Sequence, residues 1–287
     1  MTIQAAFLPG RSLIEVAGED RVGFLQGLIT NDVEGLAEGA AHFAGLLSPQ
    51  GKILFDFFAI NAGETIVLDC PAALSGDLLK RLGFYKLRAK VQLSDASQRF
   101  RVAAIWGDGA ADFLKGKAAI VFEDPRLPAL GYRALARDLP AAAGDYEAIR
   151  VAATVPEGGK DYAYGDAFPH EACFDLLHGV NFRKGCYVGQ EVVSRMQHRG
   201  TARTRVLAVS GEQQLPEGGA DILADDFAVG RLSSVSGTRG VALARLDRVK
   251  EAQEKGQALT AGGVPVVLSV PSWASYTLGG EAAGAPE

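Results

Sequence analysis

KGCYVGQE (residues 184–191) is the stretch of this chain that says most about its fold and its chemistry. Its two glycines permit a tight backbone path, and the apolar residues that follow, up to Met196, have the spacing of one face of a short helix. Cys186 is therefore predicted to lie at or near a helix N-terminus, where the macrodipole and the neighbouring Lys184 favour a thiolate. We interpret Cys186 as a reactive or ligand-binding cysteine; a buried residue that closes a turn is the structural alternative.

A second motif, FLQGLITNDV, occupies residues 24–33. Together the two motifs resemble the YgfZ family of folate-binding proteins, which are relatives of the glycine-cleavage T-protein (an aminomethyltransferase) and of mitochondrial factors that help to mature iron–sulfur enzymes. The resemblance runs from about Leu13 to about Val270. It implies an α+β fold, a T-protein-like cloverleaf of three domains around a central hole that holds tetrahydrofolate, with a small all-β barrel at the C-terminus.

Composition limits the class of protein. With 48% hydrophobic and 22% charged residues the chain is typical of a globular protein. Its net charge of −5 argues against a protein that coats nucleic acid, so direct nucleic-acid binding is not expected. The first ten residues lack the pattern of a signal peptide, and no apolar stretch is long enough to span a bilayer, so no membrane partner is expected either.

The cysteines indicate the compartment. Cys70, Cys173 and Cys186 are widely separated and have no metal-ligand spacing. Such a set suits a reducing compartment, and we predict a cytoplasmic location. It also predicts that this chain alone holds no stable metal or iron–sulfur cluster, because such clusters usually need four thiolates.

Patterns along the chain predict an α+β arrangement. Two β-like runs, Ala41–Leu47 and Lys52–Ile60, are joined by Ser48-Pro49-Gln50-Gly51, in which proline presets a turn. The pattern of Ala72–Leu82 is helical. Strands and helices do not alternate regularly, which favours α+β over a doubly wound sheet.

We predict a folate-binding region over residues 1–199, with two interleaved α+β subdomains, a β-barrel over residues 200–275 and a disordered tail over residues 276–287. After Gly200 the chain consists of short β-like runs separated by glycine-rich turns. These runs are Arg203–Ser210, Phe227–Ser233, Val241–Leu246 and Val264–Val270.

A folate site needs an aromatic platform for the pterin, a carboxylate or carboxamide for its edge, and a cation for the glutamate tail. Tyr146 and Arg150 stand four apart on a predicted helix, which places them on one face. They match the place where the family carries an aromatic and a polar residue. Tyr146 as a core residue is the alternative.

Further candidates for the folate site come from the two motifs and from the segment between them. Asn31 and Asp32 end the first motif and are predicted to line the hole, although they would serve equally to end a helix. Glu171 matches a family glutamate that precedes the octet and is our candidate for the pterin edge; a solvated loop charge is the alternative. Gln190 and Glu191 are predicted to hold the loop or the ligand.

The stretch Arg183–Arg205 carries six cations and one acid. We interpret it as a basic patch that attracts a folate polyglutamate tail or the acidic surface of a partner, with RNA as a third possibility and a solvated helix face as the structural one.

The resemblance implies the activity. T-proteins carry a catalytic acid in an Asp-Asp pair, and at that place this chain has Phe55 and Asp56. Aminomethyl transfer is therefore doubtful, and the octet cysteine, which the T-protein lacks, is the expected centre of the chemistry. We predict a folate-binding accessory protein for the maturation or repair of iron–sulfur enzymes, including tRNA-modifying ones, with iron–sulfur assembly or client proteins as partners. The alternatives are a folate-dependent aminomethyl transferase that uses Asp56 and a non-catalytic interaction module.

Overall fold

A computed structural model describes residues 3–116, 118–139, 144–200 and 202–279. The chain divides into two compact units, of which the first holds the described residues of Met1–Tyr146 and Leu177–Gln190 and the second those of Glu147–Leu176 and Glu191–Glu287. Most of the predicted tail, residues 280–287, lies outside the described residues. Its first residue, Tyr276, does not fit that prediction, because its ring is buried and its hydroxyl donates a hydrogen bond to the carbonyl of Val206.

The first unit contains two antiparallel sheets. Its elements in chain order are β1 (Gln4–Phe7), β2 (Arg11–Ala17), α1 (Arg21–Gln26), β3 (Ala41–Leu47), β4 (Ile53–Asn61), β5 (Thr65–Pro71), α2 (Ser75–Lys86), β6 (Gln92–Asp95), β7 (Arg101–Trp106), α3 (Ala110–Leu114), β8 (Ile120–Glu123) and β9 (Tyr132–Ala136). One sheet has the order β3-β4-β5-β2-β6 and the other β1-β7-β9-β8. Strands β3 and β4 correspond to the two predicted runs, and the turn between them is closed by a hydrogen bond from the N–H of Gly51 to the carbonyl of Ser48 at 2.8 Å.

The larger sheet buries two different faces, as the period of two along β4 requires. Phe55 and Phe57 point to a core that α1 and α2 cover with Leu25, Leu78 and other apolar side chains. Phe58 points the other way, where it packs against Phe122 of β8 with ring centroids 6.2 Å apart. The second face is therefore buried against residues of the smaller sheet.

That second face contains a network of buried charges. The carboxylate of Asp69 accepts hydrogen bonds from Arg11 at 2.6 Å and from Arg133 at 2.9 Å. Arg133 also donates to Asp124, at 3.1 Å, and Asp124 accepts two further bonds from the Arg126 guanidinium at 2.9 and 2.7 Å. Burial would raise the pKa of Asp124, but the two guanidinium groups outweigh it and hold that pKa at about 2. Each buried charge thus has opposite charges as neighbours, without which burial would be prohibitive.

The second unit begins with α4 (Tyr146–Ala152), whose first residue still belongs to the first unit. From residue 153 to residue 189 the chain forms neither helix nor strand, as its irregular composition predicts, and α5 (Gln190–Arg199) follows. A closed barrel comes next, with β10 (Thr204–Ser210), β11 (Asp221–Ala224), β12 (Phe227–Ser236), β13 (Arg239–Arg245), α6 (Leu246–Glu254), β14 (Leu259–Ala261) and β15 (Val264–Ser269). The strand order is β10-β13-β12-β11-β14-β15, and β15 pairs with β10 to close the barrel.

The charge network should be essential to the stability of the first unit. Replacing Arg133 by Met removes the cation shared by Asp69 and Asp124 and leaves buried carboxylates with too little compensation. We expect Arg133→Met to lower the free energy of unfolding by about 3–5 kcal/mol in urea titrations. The matched control is Arg137→Met, because Arg137 follows the same strand but is exposed. A loss of similar size in both variants would contradict this role for the network.

Candidate functional site

The KGCYVGQE loop lies before α5 and not within it. Helix α5 begins at Gln190, and Cys186 precedes it in irregular backbone, with its side chain exposed. The effect of a helix terminus fades within its first turn. The predicted action of the α5 N-terminus on the Cys186 thiol is therefore corrected: the thiol lies outside that turn.

Lys184 anchors the loop to the first motif. Its ammonium is buried and donates hydrogen bonds to the carbonyl oxygens of Gln26, Ile29 and Asn31 at 2.9, 2.7 and 2.7 Å. Burial lowers the pKa of Lys184 to about 8, against the attraction of nearby carboxylates, so the group is still charged at neutral pH. An ammonium has three N–H donors, and all three are used here. Lys184 therefore has no donor left for Cys186, and its observed contacts are those of a positioning residue.

Other side chains of the first motif add hydrogen bonds to the segment that leads into the loop. The Asn31 amide donates to the carbonyls of Phe43 and His178 at 2.8 and 2.6 Å. The Thr30 hydroxyl donates to the carbonyl of Gly179 at 2.6 Å. The motifs that suggest the family are thus hydrogen-bonded to each other, directly and through the residues that lead into the octet, within the first unit.

Asp32 also acts locally. Its carboxylate accepts hydrogen bonds from the Gln26 side chain at 2.7 Å and from the N–H of Gly35 at 2.8 Å. Burial would raise the pKa of Asp32, but these hydrogen bonds outweigh it and keep that pKa below its ordinary value. The carboxylate therefore stabilises the turn that follows α1.

The second glycine of the octet is required by close packing. Gly189 has φ +82°, and a Cβ there would lie 2.6 Å from the carbonyl oxygen of Ser48 and 3.1 Å from the Cα of Gly51. The end of the loop therefore rests on the backbone of the β3–β4 turn. Gly185 differs, since a Cβ there would meet no atom within 4 Å.

The three cysteines differ in access. Cys70 and Cys173 are buried, and burial raises the pKa of Cys70 to about 12 and that of Cys173 to about 11. Both are therefore inert thiols at neutral pH. Cys186 alone among the three is exposed. Within the described part of the chain no three His, Cys, Asp or Glu side chains converge as metal ligands.

A cleft of about 930 Å³ lies in the first unit beside the residues that lead into the octet. Its lining includes Asn31, His42, Glu123, Phe182 and Arg183. Phe182 keeps 40% of its surface exposed although it is apolar. The cleft thus combines aromatic, acidic, amide and cationic side chains, and its size is that of a small-molecule site.

Tyr146 and Arg150, which were predicted to bind folate, lie outside this cleft. The Tyr146 ring is 8% exposed, and its hydroxyl accepts hydrogen bonds from Arg126 at 3.0 Å and from Arg133 at 3.3 Å in the charge network. Arg150 is fully buried in the second unit and donates to Asp161 at 2.6 Å. Both side chains therefore have structural partners, and neither lines the cleft.

The other predicted ligand residues are engaged locally. The Glu171 carboxylate accepts the N–H of Phe168 at 2.9 Å. The N–H of Gln190 donates to the carbonyl of Tyr187 at 3.2 Å, and the exposed Glu191 pairs with Arg195 at 2.9 Å. None of the three lines the cleft.

Asp56, the acid of the transferase alternative, is 3% exposed on β4. It lies near the Arg11 guanidinium, and its charge contributes, with that of Asp69, to raising the pKa of Arg11 against the effect of burial. Asp56 therefore belongs to the buried charges of the first unit, where solvent has little access to it.

Only some cations of the predicted basic patch are available to bind a ligand or partner. Arg205 donates to the carbonyl of His170 at 2.6 Å and pairs with Asp175 at 2.8 Å, and Lys184 is buried. Arg183 and Arg199 are exposed, without a side-chain partner among the described residues. The available cations are therefore fewer than the sequence suggests.

Sequence reasoning did not identify the residues just before the octet as a site. Phe182 and Arg183 line the cleft, and the Asn181 carboxamide accepts the N–H groups of Arg183 and Lys184 at 2.8 and 3.1 Å. An asparagine followed by an aromatic and a cation was the available signal, since asparagine favours turns of this kind.

Known proteins resemble this chain in sequence. A family profile described as "CAF17, C-terminal beta-barrel domain" matches residues 203–276. The human protein named iron–sulfur cluster assembly factor IBA57, mitochondrial, is 33% identical over 93% of this chain and 84% of its own length. The homologue from Mycosarcoma maydis is 34% identical over 73% of this chain, which spans only 57% of that protein.

A solved structure resembles the fold. The glycine cleavage system aminomethyltransferase T from Bartonella henselae superposes with a TM-score of 0.75, covering 95% of this chain and 86% of that one. Because the two sequences are only 16% identical, the likeness concerns the fold alone. The predicted α+β, T-protein-like fold with a C-terminal β-barrel is confirmed.

The prediction of a cytoplasmic location is wrong by this comparison. The human, mouse and Mycosarcoma maydis relatives are all named as mitochondrial proteins. A few scattered cysteines indicate a reducing environment, and that property does not distinguish one reducing compartment from another.

The packing of the octet predicts unequal roles for its glycines. We expect Gly189→Ala to lower the free energy of unfolding by about 1–3 kcal/mol, because it combines a left-handed residue with a clash against backbone atoms. Gly185→Ala is the matched control and should change stability by less than about 0.5 kcal/mol. Urea unfolding followed by circular dichroism measures both. Equal stability of the two variants would show that the loop does not rest on the β3–β4 turn.

Proposed function

Since this chain belongs to the IBA57 family of iron–sulfur cluster assembly factors, we propose that it acts in the maturation of iron–sulfur enzymes. The human and mouse relatives are 33% and 31% identical to this chain over 84% and 78% of their own lengths. The resemblance of the octet to the YgfZ signature supports tRNA-modifying enzymes among the clients. Assembly factors or clients would be its protein partners.

The observation that carries the proposal is the position of Cys186. It is the one exposed thiol of the three, on a loop held by the buried Lys184 on one side and the buried Tyr187 on the other. Thiolates are the usual protein ligands of iron–sulfur clusters. A single exposed thiolate supplies one ligand, so the cluster would be cargo shared with a second chain or with other thiols.

The chemistry is a ligand exchange without a redox step. The Cys186 thiol loses its proton to solvent, and the sulfur donates an electron pair to an iron of the incoming cluster. The iron–ligand bond to one group of the donor breaks at the same site, and that group takes up a proton. The cluster keeps its oxidation state, and the loop returns to the free thiol when the client replaces Cys186 in turn.

Cys186→Ala should abolish rescue of iron–sulfur enzyme activity in cells that lack their own relative of this chain. The free energy of unfolding of the purified variant should change by less than about 0.5 kcal/mol, because the side chain is exposed. The matched control is Cys70→Ala, which removes a buried and inert thiol and should keep rescue.

Two outcomes would each contradict a part of the proposal. Full rescue by Cys186→Ala would remove this thiol from the mechanism while leaving the family role intact. Failure of the wild-type chain to rescue, although it is expressed and folded, would contradict the family role itself.

We further propose that tetrahydrofolate, or a derivative, binds in the cleft beside the octet. The three needs of folate recur there: Phe182 offers an aromatic face, Glu123 offers a carboxylate for the pterin edge, and Arg183 offers a cation for the glutamate tail. The volume of about 930 Å³ suits such a ligand. Folate, when bound, would supply a carrier for one-carbon units, and these residues of the cleft would bind and orient it.

Calorimetric titration with tetrahydrofolate tests this location. We expect Arg183→Gln to weaken binding roughly tenfold or more, because a charge-assisted contact is lost. The matched control, Arg239→Gln, changes an exposed arginine in the barrel and should bind as the wild type does. Loss of binding in Glu171→Gln but not in Arg183→Gln would place the ligand away from the cleft, and no binding by the wild type would end the folate proposal without affecting that for Cys186.

A further inference from the structure

The second half of α2 and the turn after it form a surface, here called the α2 surface, that no step of the proposed function uses. Helix α2 turns Leu78 and Leu82 into the core of the first unit. Phe84 and Leu87 face solvent instead, with 67% and 89% of their surface exposed. These are among the most exposed large apolar side chains of the described residues.

The charged residues within the α2 surface itself are all cations. Between Leu78 and Ser94 the sequence has five cations and no acid, in a chain whose net charge is −5. The cations are Lys80, Arg81, Lys86, Arg88 and Lys90. Lys86 is half-buried and the other four are exposed, and within the described residues only Lys90 has an acidic partner, Glu19.

The cations surround the apolar side chains. On the helix, Lys80 and Arg81 precede Phe84 by four and three residues, so they lie on the same face as Phe84. Arg88 follows Leu87 directly. Leu87 has φ +42°, a conformation that non-glycine residues rarely adopt, and it ends the helix with its side chain outward. Long cationic side chains can place their stems along apolar surface while their charges reach a polar layer.

We propose that the α2 surface adsorbs to the surface of a membrane rich in anionic lipids. Phe84 and Leu87 would enter the boundary between headgroups and acyl chains, and the surrounding cations would contact lipid phosphates. The charged residues of the α2 surface are hydrogen-bond donors, and Glu19 beside Lys90 is the one acidic partner they have among the described residues. Such an excess of donors suits a layer of lipid phosphates better than the mixed donors and acceptors of a typical protein interface. The acidic remainder of the chain would be repelled by the same lipids, which orients the molecule.

Adsorption to a membrane surface does not require a helix that spans the membrane. Among the described residues, no helix is long and apolar enough to cross a bilayer. The expectation that no membrane is a partner rested on the lack of such a segment. That criterion does not detect exposed apolar side chains on a short helix. The inference is independent of folate and of Cys186.

Co-sedimentation of the full chain with vesicles tests the proposal. We expect binding to vesicles of equal parts phosphatidylcholine and phosphatidylglycerol, and little to vesicles of phosphatidylcholine alone. Binding should fall steeply between about 0.1 M and about 0.5 M salt as the charges are screened. The double variant Lys80→Glu with Arg81→Glu should lower the partition coefficient roughly tenfold or more. Phe84→Ser with Leu87→Ser should also lower it, which a purely electrostatic attraction would not show.

The matched control changes the same net charge at another exposed site, Arg195→Glu with Arg199→Glu on α5. This variant should keep most of the vesicle binding, and thermal unfolding shows whether each variant is folded. Equal loss in the control, or no binding of the wild type to anionic vesicles, would overturn the proposal. Retention of the wild type on immobilised polyglutamate through Lys80 and Arg81, without vesicle binding, would show that the surface serves an acidic protein instead.

Discussion

The buried ammonium of Lys184 is the contact on which the candidate site depends. A cation removed from water is costly unless acceptors replace its hydration. The three carbonyls that surround Lys184 do so, and they belong to the last residue of α1 and to the stretch that follows it. Because the chain between the two motifs is long, this contact fixes segments that are distant in sequence. The exposed thiol two residues later is positioned as a consequence.

The charge network of the first unit gives structural partners to a side chain that the sequence predicts as a ligand residue. Tyr146 has the features of a ligand platform, an aromatic ring with a polar tip, but its hydroxyl accepts hydrogen bonds from Arg126 and Arg133 instead. Arg150 likewise pairs with Asp161. A sequence shows which side chains have the chemistry to bind a ligand. It does not show which of them have their donors and acceptors already used inside the fold.

The sequence predicted regular elements well where the pattern is strong. The bounds of β3 agree with the predicted run Ala41–Leu47, because this apolar run ends at a clear turn signal, Ser48-Pro49-Gln50-Gly51. The short strand β6 is mostly polar and gave no such signal, and α6 was missed because its first residue, Leu246, ends an apolar run that reads as strand. For the site, the motif drew attention to Lys184 and Cys186. The burial of one and the exposure of the other required the fold.

The alternation of burial along the octet accounts for how the thiol is presented. Lys184 and Tyr187 are buried, with the ammonium 5.3 Å from the centre of the Tyr187 ring, while Gly185 and Cys186 between them are exposed. A loop fixed on both sides loses little conformational freedom when its central residue binds a ligand. The loop is also open next to the thiol, since a Cβ at Gly185 would meet no atom within 4 Å. The proposed cluster ligand needs both tight anchoring and open access, because it would have to accept a cluster and then release it, and here adjacent residues provide the two properties.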